Sequence, residues 1–249
     1  MIHSFLLIGQ SNMAGRGLIE EAIPVDNTHI KVLRNGRWQK MFRPVNPDRR
    51  TSGVNLAESF AEAYAAKYGV EVGLIPCADG GTQIAQWVPG SLLFDNAVYQ
   101  ARLAMRTSHI VGILWHQGES DAHNDLYLGY GKKLETMLTQ LRKLLGLEDV
   151  PLILGGLGSY LDGYTKSPVM QWPQINEALQ AVAERLPRAG YVGAEGLKPN
   201  ADNLHFSAAA LYEFGLRYFG EFERLVDPNR VFEEKPHPDD ALRTDLDAL

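Results

Sequence analysis

The sequence predicts an α/β fold in which helices cover both faces of one parallel sheet. Five short apolar or β-branched runs, typical of strands buried on both faces, alternate with longer segments of helical periodicity. The 249 residues are also 45% hydrophobic and only 22% charged, which is enough apolar material for a large core. Because parallel strands need crossover connections and helices are the usual ones, the alternation favours a three-layer α/β/α sandwich.

The predicted elements alternate strictly along the chain. The apolar runs are residues 4–8, 70–76, 110–115, 151–154 and 190–193, and we predict that they form a five-stranded parallel sheet. The segments with helical spacing are residues 55–68, 92–105, 126–145, 169–185 and 207–225. Right-handed crossovers place the carboxyl ends of all five strands at one edge. In the flavodoxin-like order 2-1-3-4-5, the first three strands are neighbours.

One domain is expected over residues 1–226, followed by an acidic tail over residues 227–249. The tail contains seven acidic and three basic residues, which account for −4 of the formal net charge of −6. We interpret it as a solvated appendage, with an acidic docking element as the alternative. Two irregular stretches, residues 34–53 and 158–170, are long for connections in a compact domain and are predicted to form part of a rim.

Composition also disfavours several classes of partner. A net charge of −6 is the wrong sign for a protein that binds nucleic acid. The single cysteine, Cys77, excludes an intramolecular disulfide framework and a cysteine-based zinc cluster. No run approaches ~18 apolar residues, so no membrane span is expected. The first residues lack the basic region of a signal peptide, so the chain as written is expected to be cytoplasmic, although a processed secreted form would look the same.

Polar turns that contain glycine follow the first three predicted strands. The turns are Gly9-Gln10-Ser11-Asn12-Met13, Ala78-Asp79-Gly80-Gly81-Thr82 and His116-Gln117-Gly118-Glu119-Ser120-Asp121. Because neighbouring parallel strands end at the same edge of a sheet, the three turns should converge on one crevice. We therefore expect the functional site at this edge.

Ser11 is the candidate nucleophile in this crevice. It follows a buried strand and is predicted to open a helix, whose first turn offers free N–H groups. The same position also suits a serine that only caps the helix. Gly80 and Gly81 fit either a tight turn or the close approach of a backbone N–H to a developing oxyanion. Gln117 is either an amide donor to that oxyanion or an ordinary polar loop residue.

A second polar cluster, Asp202-Asn203-Leu204-His205, precedes the last predicted helix. Side chains three residues apart on one helical turn have Cβ atoms ~5–6 Å apart, so Asp202 can accept a hydrogen bond from one ring nitrogen of His205. The other nitrogen is then free to take the proton of a serine hydroxyl. The alternative is that Asp202 caps the helix and His205 is an ordinary surface residue.

In order and spacing, these motifs together resemble those of the SGNH hydrolases. More closely, the chain is similar to the sialate O-acetylesterase and acetylxylan esterase branch, carbohydrate esterase family 6 and its relatives, over about residues 3–220. The motifs that carry the resemblance are Gly9-Gln10-Ser11-Asn12-Met13-Ala14-Gly15, Gly80-Gly81-Thr82 with Trp87, Trp115-His116-Gln117-Gly118-Glu119-Ser120-Asp121 and Asp202-Asn203-Leu204-His205.

The resemblance implies a serine esterase that removes acetyl groups from carbohydrates such as acetylxylan or O-acetylated sialic acid, with no cofactor. It implies that Ser11 is the nucleophile, His205 the general base and Asp202 the acid that orients the base. The implied oxyanion hole consists of the Ser11 N–H, the Gly81 N–H and the Gln117 amide, with Gly80 as the second choice of glycine. The superfamily has asparagine where Gln117 stands, whereas the carbohydrate-esterase branch has glutamine.

Three further residues have two readings each. Glu119 is either a rival to Asp202 as the acid that orients His205 or a structural carboxylate that accepts N–H bonds from its loop. Arg16 fits either a contact with an anionic substrate or an ion pair within the protein, and we favour the pair. Trp87 follows the glycine turn by six residues and either closes the core, as large aromatic residues often do, or lines the site, where an aromatic face would suit a sugar ring; we favour the site.

Two other function classes compete with the esterase. The first is a non-catalytic carbohydrate-binding module that keeps the crevice without turnover. The second is a metal-dependent hydrolase that uses the cluster His116, Glu119, Asp121 and His123. The spacing of this cluster differs from the H-E-x-x-H pattern of zinc enzymes, so the sequence favours a site without metal. No oligomeric state is indicated.

Overall fold

A seven-stranded sheet forms the centre of the protein. The structure is a computed structural model that describes residues 1–166, 170–227 and Phe232. The strands are β1 (Ile2–Gly9), β2 (Ile30–Arg34), β3 (Arg37–Lys40), β4 (Glu71–Pro76), β5 (His109–His116), β6 (Leu152–Gly155) and β7 (Ala189–Val192). Their order is β3-β2-β4-β1-β5-β6-β7, and every neighbouring pair is parallel except β2 with β3.

The predicted α/β class and the order of the five predicted strands are confirmed, because β4-β1-β5-β6-β7 is the order 2-1-3-4-5. The strand count was wrong, since β2 and β3 extend the sheet beyond β4. Both strands were missed because the apolar residues of β2, with the sequence IKVLR, are interrupted by a lysine, and because β3, with the sequence RWQK, is largely polar and begins inside the stretch predicted to be irregular. The signal for this hairpin was Asn35-Gly36, whose positive φ angles of 50° and 74° fit a tight two-residue turn.

Helices cover both faces of the sheet. They are α1 (Ser11–Ala14), α2 (Ala57–Tyr68), α3 (Leu92–Ala104), α4 (Tyr130–Leu145), α5 (Trp172–Arg185) and α6 (Ala208–Leu225). One core layer packs α2 and α6 on the sheet through aromatic residues such as Phe60 and Phe222. The opposite layer packs α3, α4 and α5 and contains the buried pair Trp87 and Trp115. This arrangement is the predicted three-layer sandwich.

The helix boundaries refine the expectations at several positions. The predicted helix 126–145 begins with a 3₁₀ turn, Leu126–Gly129, and is α-helical only from Tyr130. The segment 158–170 contains another 3₁₀ turn, Ser159–Gly163. The start of the predicted helix at residue 169 lies outside the described residues, as does the predicted tail 227–249 apart from Asp227 and Phe232. None of the helices in the described part of the chain combines the length and apolarity that crossing a membrane requires.

Candidate active site

The turns after β1, β4 and β5 converge at the carboxyl edge of the sheet, as the strand order requires. β1 lies between β4 and β5, so the Ser11 turn has the glycine turn on one side and the 117–121 turn on the other. A cavity of about 500 Å³ opens between them. The predicted site residues that line it are Ser11, Arg16, Gly80, Gly81, Glu119 and His205. Gln117 and Trp87 are not among the lining residues.

Ser11, His205 and Asp202 form a continuous chain of hydrogen bonds. The Ser11 Oγ lies 3.0 Å from the His205 Nε2, although the two residues are 194 positions apart in the chain. The other ring nitrogen, Nδ1, lies 2.6 Å from the Asp202 Oδ2. Because a carboxylate accepts a hydrogen bond only from a protonated nitrogen, Asp202 fixes the tautomer in which Nε2 is free to accept the Ser11 proton.

Asp202 is held in its ionised form by the loop that carries it. Its Oδ1 accepts hydrogen bonds from the backbone N–H groups of Leu204, at 2.9 Å, and His205, at 3.0 Å. Burial raises the pKa of Asp202, but these N–H groups and the imidazole outweigh it, so the pKa lies below its ordinary value. Asp202 is therefore an anion over the neutral pH range and can stabilise a protonated His205.

Asn12 connects the turn that contains Ser11 to the loop that contains His205, and sequence reasoning missed it. Its Oδ1 accepts a hydrogen bond from the Phe206 N–H at 3.1 Å. Its Nδ2 donates to the Glu119 Oε1 at 2.5 Å and to the Leu204 carbonyl at 3.3 Å. Asn12 is fully buried, so these bonds are shielded from water. The side chain next to Ser11 thus fixes the position of the loop that carries His205.

Glu119 contacts Asn12 and not His205. The carboxylate is 4% exposed, and its Oε1 lies 3.7 Å from the Nδ1 of the buried His116. The other oxygen, Oε2, is buried without a hydrogen-bond partner among the described residues. Asp202, rather than Glu119, is the acid that contacts His205 in this structure. Glu119 takes the second predicted reading, a structural carboxylate, although its donor is the Asn12 side chain rather than an N–H of its own loop.

The backbone N–H groups of Gly80 and Gly81, which line the same cavity as Ser11, differ in whether they donate a hydrogen bond within the protein. The Gly80 N–H donates to the Asp48 Oδ2 at 2.8 Å. The Gly81 N–H, in contrast, makes no hydrogen bond within the described ranges. Gly81 adopts φ = 76°, in the left-handed region that favours glycine. Of the two glycines, Gly81 therefore offers the free donor.

Arg16 forms the ion pair that we favoured. Its Nη2 lies 2.7 Å from the Asp48 Oδ2, and both side chains are nearly buried. Burial raises the pKa of Asp48, but bonds from Arg16, Ser52 and the Gly80 N–H outweigh it, so the pKa is below its ordinary value. A Cβ on Gly80 would lie 2.4 Å from the Arg16 Nη2. The pair thus packs directly beneath the glycine turn, and Asp48 is a second residue that the sequence did not reveal.

Gln117 lies behind the cavity. It is fully buried, and its Nε2 faces three acceptors: the Asp121 Oδ2 at 2.6 Å, the Thr82 carbonyl at 2.9 Å and the Gln10 Oε1 at 3.1 Å. The Gln117 Oε1 has no partner in the described part of the chain. The glutamine that does line the cavity is Gln10.

Trp87 does not line the cavity, so this expectation was wrong. The side chain is 1% exposed and packs edge-on against Trp115, with ring centroids 5.5 Å apart. Its Nε1 donates to the Thr82 Oγ1 at 3.1 Å. The 3₁₀ turn Ile84–Trp87 directs the ring into the core, where it supports the glycine turn from below. Distance along the chain from Gly81 does not determine this direction.

Two other reactive groups near the site are poorly arranged for chemistry. Among the residues that the structure describes, no group of three or more His, Cys, Asp and Glu side chains is placed to hold a metal ion. In particular, the Asp121 Oδ2 accepts hydrogen bonds from the Ile84 N–H and from Gln117. Burial raises the pKa of the Cys77 thiol to about 12, so it is protonated at neutral pH and is not a competing nucleophile.

Comparison with known proteins identifies the family to which the chain belongs. The family model described as carbohydrate esterase, sialic acid-specific acetylesterase, matches residues 1–224. A probable carbohydrate esterase of Arabidopsis thaliana is 29% identical over 239 residues, which cover 85% of this chain and 86% of the relative. The crystal structure of that Arabidopsis protein superposes with a TM-score of 0.80 at 28% identity, over 89% of this chain and 98% of the other.

More distant structures share the fold. A carbohydrate acetylesterase from Xanthomonas citri matches with a TM-score of 0.67 at 17% identity, over 90% of this chain and 56% of the other. The carbohydrate acetylesterase Est24 from Sinorhizobium meliloti has a TM-score of 0.56 at 12% identity, over 90% of this chain and all of the other. The fold is that of the SGNH hydrolases. The chain belongs to the carbohydrate esterase family described as sialic acid-specific acetylesterase, and it is a carboxylic ester hydrolase.

Proposed function

We propose that this protein hydrolyses O-acetyl esters of carbohydrates with Ser11 as the nucleophile, His205 as the general base and Asp202 as the orienting acid. The observation that carries the proposal is the chain of hydrogen bonds from the Ser11 Oγ through both ring nitrogens of His205 to Asp202. A serine hydroxyl is a weak nucleophile until a base takes its proton, and the carboxylate stabilises the imidazolium that forms.

The reaction has two halves. In the first, the Ser11 Oγ bonds to the ester carbonyl carbon while its proton passes to the His205 Nε2. The tetrahedral intermediate then collapses, the bond between the carbonyl carbon and the sugar oxygen breaks, and His205 gives its proton to that oxygen, so that the sugar leaves as a free hydroxyl. In the second half, His205 takes a proton from water, the hydroxide attacks the acetyl-Ser11 ester, and acetate leaves as Ser11 recovers its proton.

The oxyanion of each intermediate needs donors that are already in place. The Ser11 and Gly81 N–H groups meet this need, because they adjoin the nucleophile and the Gly81 group has no partner among the described residues. A carboxamide of the hydrogen-bonded pair Gln10 and Gln117 is the third donor. Such donors typically contribute 10²–10³-fold each, because they need no reorganisation when charge develops.

Two adjoining cavities fit a substrate larger than the acetyl group. A second cavity of about 460 Å³ shares Gly80 and Gly81 with the first, and Arg49 and Leu92 are among its other lining residues. A sugar that leaves Ser11 in this direction has both polar and apolar surfaces to contact. The carbohydrate as the acyl carrier follows from the family to which the chain belongs.

Hydrolysis of p-nitrophenyl acetate tests the reaction class. We expect turnover that a serine-directed fluorophosphonate abolishes and EDTA leaves unchanged. Inhibition by EDTA would instead support the metal-dependent hydrolase. Sugar binding without turnover would support the binding module, but the intact hydrogen-bond chain favours the esterase.

Acetate release from a panel of acetylated sugars tests the substrate class. The informative pair is an acetylated xylooligosaccharide and an O-acetylated sialic acid, because these are the two classes that the resemblance implies. Turnover of either at a kcat/KM well above that of p-nitrophenyl acetate supports carbohydrate as the acyl carrier. Equal or lower values for every sugar would contradict it.

A further inference from the structure

We propose that the Gln10 carboxamide supplies the third hydrogen bond to the oxyanion and that Gln117 is a positioning residue that acts through it. The inference rests on the proposed function, since it concerns the same acyl-transfer step. It departs from the assignment that the sequence implied, in which Gln117 itself is the donor. The hydrogen-bond partners of the two amides determine where their hydrogen atoms point.

The donor capacity of Gln117 is already used within the protein. Its Nε2 carries two hydrogens and faces three acceptors, the closest being the Asp121 Oδ2 at 2.6 Å and the Thr82 carbonyl at 2.9 Å. Rotating the amide by 180° would place its oxygen against these acceptors, so the orientation is fixed by its surroundings. A substrate oxygen would therefore have to displace one of these bonds from a residue that is fully buried.

The orientation of the Gln10 amide is also fixed, but here the oxygen, and not the nitrogen, faces the hydrogen-bond partners within the protein. Its Oε1 accepts from three donors: the Gln117 Nε2 at 3.1 Å, the Ser120 N–H at 3.3 Å and the Gly118 N–H at 3.4 Å. A flipped amide would set its NH₂ group against all three, so Nε2 must be the outward atom. Hydrogen-bond partners thus determine the direction of both amides without reference to a substrate.

The outward nitrogen of Gln10 faces the site. Gln10 lines the cavity together with Ser11 and Gly81, the two residues whose N–H groups are the other proposed donors. Its side chain is only 3% exposed, yet Nε2 makes no hydrogen bond within the part of the chain that the structure describes. Nε2 does not belong to the buried side-chain atoms that lack a partner, so it is accessible, and a ligand in the cavity can accept its hydrogen bond without breaking a bond within the protein. A carbonyl oxygen bonded through its carbon to the Ser11 Oγ is such an acceptor.

This geometry assigns separate tasks to the two glutamines. Gln10 donates to the oxygen as negative charge develops on it, and no proton is transferred. Gln117 holds the Gln10 Oε1 from behind, and the Gly118 and Ser120 N–H groups share that task. Loss of Gln10 should remove the donor, whereas loss of Gln117 should only make the position of the Gln10 side chain less well defined.

Substitution of the two glutamines tests the assignment. Gln10→Glu keeps an oxygen for the three donors but removes the N–H, and Gln10→Met removes the N–H without adding charge. Gln117→Met is the matched variant. The readouts are kcat for p-nitrophenyl acetate, the affinity for a small alkylboronic acid that forms a tetrahedral adduct on a serine nucleophile, and Tm.

We expect both Gln10 variants to lower kcat and boronate affinity together by roughly 10²–10³-fold with little change in KM. Gln117→Met should lower Tm but reduce kcat and boronate affinity by less than ~10-fold. If Gln117→Met produces the larger loss and the Gln10 variants remain within ~10-fold of the wild type, the proposal is overturned.

The double variant Gln10→Met/Gln117→Met decides the case in which both single variants show large losses. A loss no greater than that of Gln10→Met alone means that Gln117 acts through Gln10 and supports the proposal. Multiplied losses mean two independent donors and contradict it. Measurements on the wild type distinguish a failure of this inference from a failure of the proposed function. If the wild type neither turns over substrate nor reacts with fluorophosphonate at Ser11, the proposed function itself is refuted.

Discussion

The two sides of the Ser11 to His205 hydrogen bond are built in different ways. Ser11 is 5% exposed and follows β1, which is hydrogen-bonded to a parallel strand on each side. Asp202 lies on the loop between β7 and α6, and 48% of its side chain is exposed, against 17% for His205. One side of the reacting pair is therefore fixed by the sheet and the other by a surface loop.

Side-chain hydrogen bonds compensate for the weaker support of that loop. The Phe206 N–H donates to Asn12, and the Asn200 Nδ2 donates to the Arg16 carbonyl at 2.8 Å. Both bonds connect the loop to the segment that follows β1. The segment that follows β1 therefore fixes the position of the loop that carries His205. Loss of a side chain in the chain of hydrogen bonds from Ser11 to Asp202 should therefore remove chemistry, whereas loss of a bond that holds the loop should only loosen its geometry.

Removing the nucleophile should have the largest effect. We expect Ser11→Ala to lower kcat by roughly 10⁵–10⁶-fold with Tm unchanged, since the oxyanion donors and binding alone remain. Labelling by a fluorophosphonate, followed by intact mass, should disappear in the same variant. The exposed Ser159 provides the control, because Ser159→Ala should keep both turnover and labelling. Residual activity near the wild-type level would place the nucleophile elsewhere.

Neutralising the acid should have the next largest effect. Asp202→Asn should lower kcat by roughly 10²–10⁴-fold, because the imidazole loses the partner that fixes its tautomer and stabilises its charge. Glu119→Gln should cost less than ~10-fold, since a glutamine oxygen still accepts the hydrogen bond from Asn12. The comparison of the two kcat values is the measurement. The opposite ranking would assign the orienting role to Glu119.

Loosening the loop should have a smaller effect on rate and a measurable effect on stability. Asn12→Ala leaves the Phe206 N–H and the Glu119 carboxylate without their partner, which costs roughly 1–3 kcal/mol of unfolding free energy. Because His205 is then held less accurately, we expect kcat to fall by roughly 10–100-fold. The buried Asn55, whose Oδ1 accepts from the Ala57 N–H, is the matched control. Asn55→Ala should lower stability without this loss of kcat.

The smallest effect concerns pH. Burial raises the pKa of Asp121 and outweighs the hydrogen bonds from Gln117 and Ile84, so the folded pKa lies above the unfolded value of about 3.9. The folded state then holds this proton more tightly, and stability falls as pH rises from the unfolded pKa through the folded pKa. Asp121→Asn should lack that fall, as measured by urea unfolding of both proteins across this window. Parallel curves would show that Asp121 ionises normally.

Local pattern and strand order were enough to predict much of this molecule. The five parallel strands were recognisable because their apolar runs are buried on both faces, and the order 2-1-3-4-5 placed the three turns together. The pairing of Ser11 with His205 was expected from the resemblance and is short in the structure, at 3.0 Å. Its catalytic role stays a prediction until Ser11→Ala is measured.

Features that depend on side-chain direction could not be predicted in this way. Trp87 was placed in the site on its sequence distance from Gly81, but the 3₁₀ turn directs it into the core. Asn12 was passed over because its partners lie 107 and 194 positions away in the chain. In the hairpin of β2 and β3, a lysine interrupts the apolar residues of β2 and β3 is largely polar, so only the dipeptide Asn35-Gly36 indicated it.

Because Ser11 and His205 are far apart in the chain, we expect esterase activity to appear only when the whole sheet has folded. One partner follows the first strand, whereas the other enters only after the seventh strand has joined the edge of the sheet. A chain truncated before residue 205 can complete five or more strands and still hydrolyse nothing. Recovery of esterase activity during refolding should therefore lag behind the recovery of helical signal, because Ser11 meets His205 only when the segments that follow β1 and β7 are both in place.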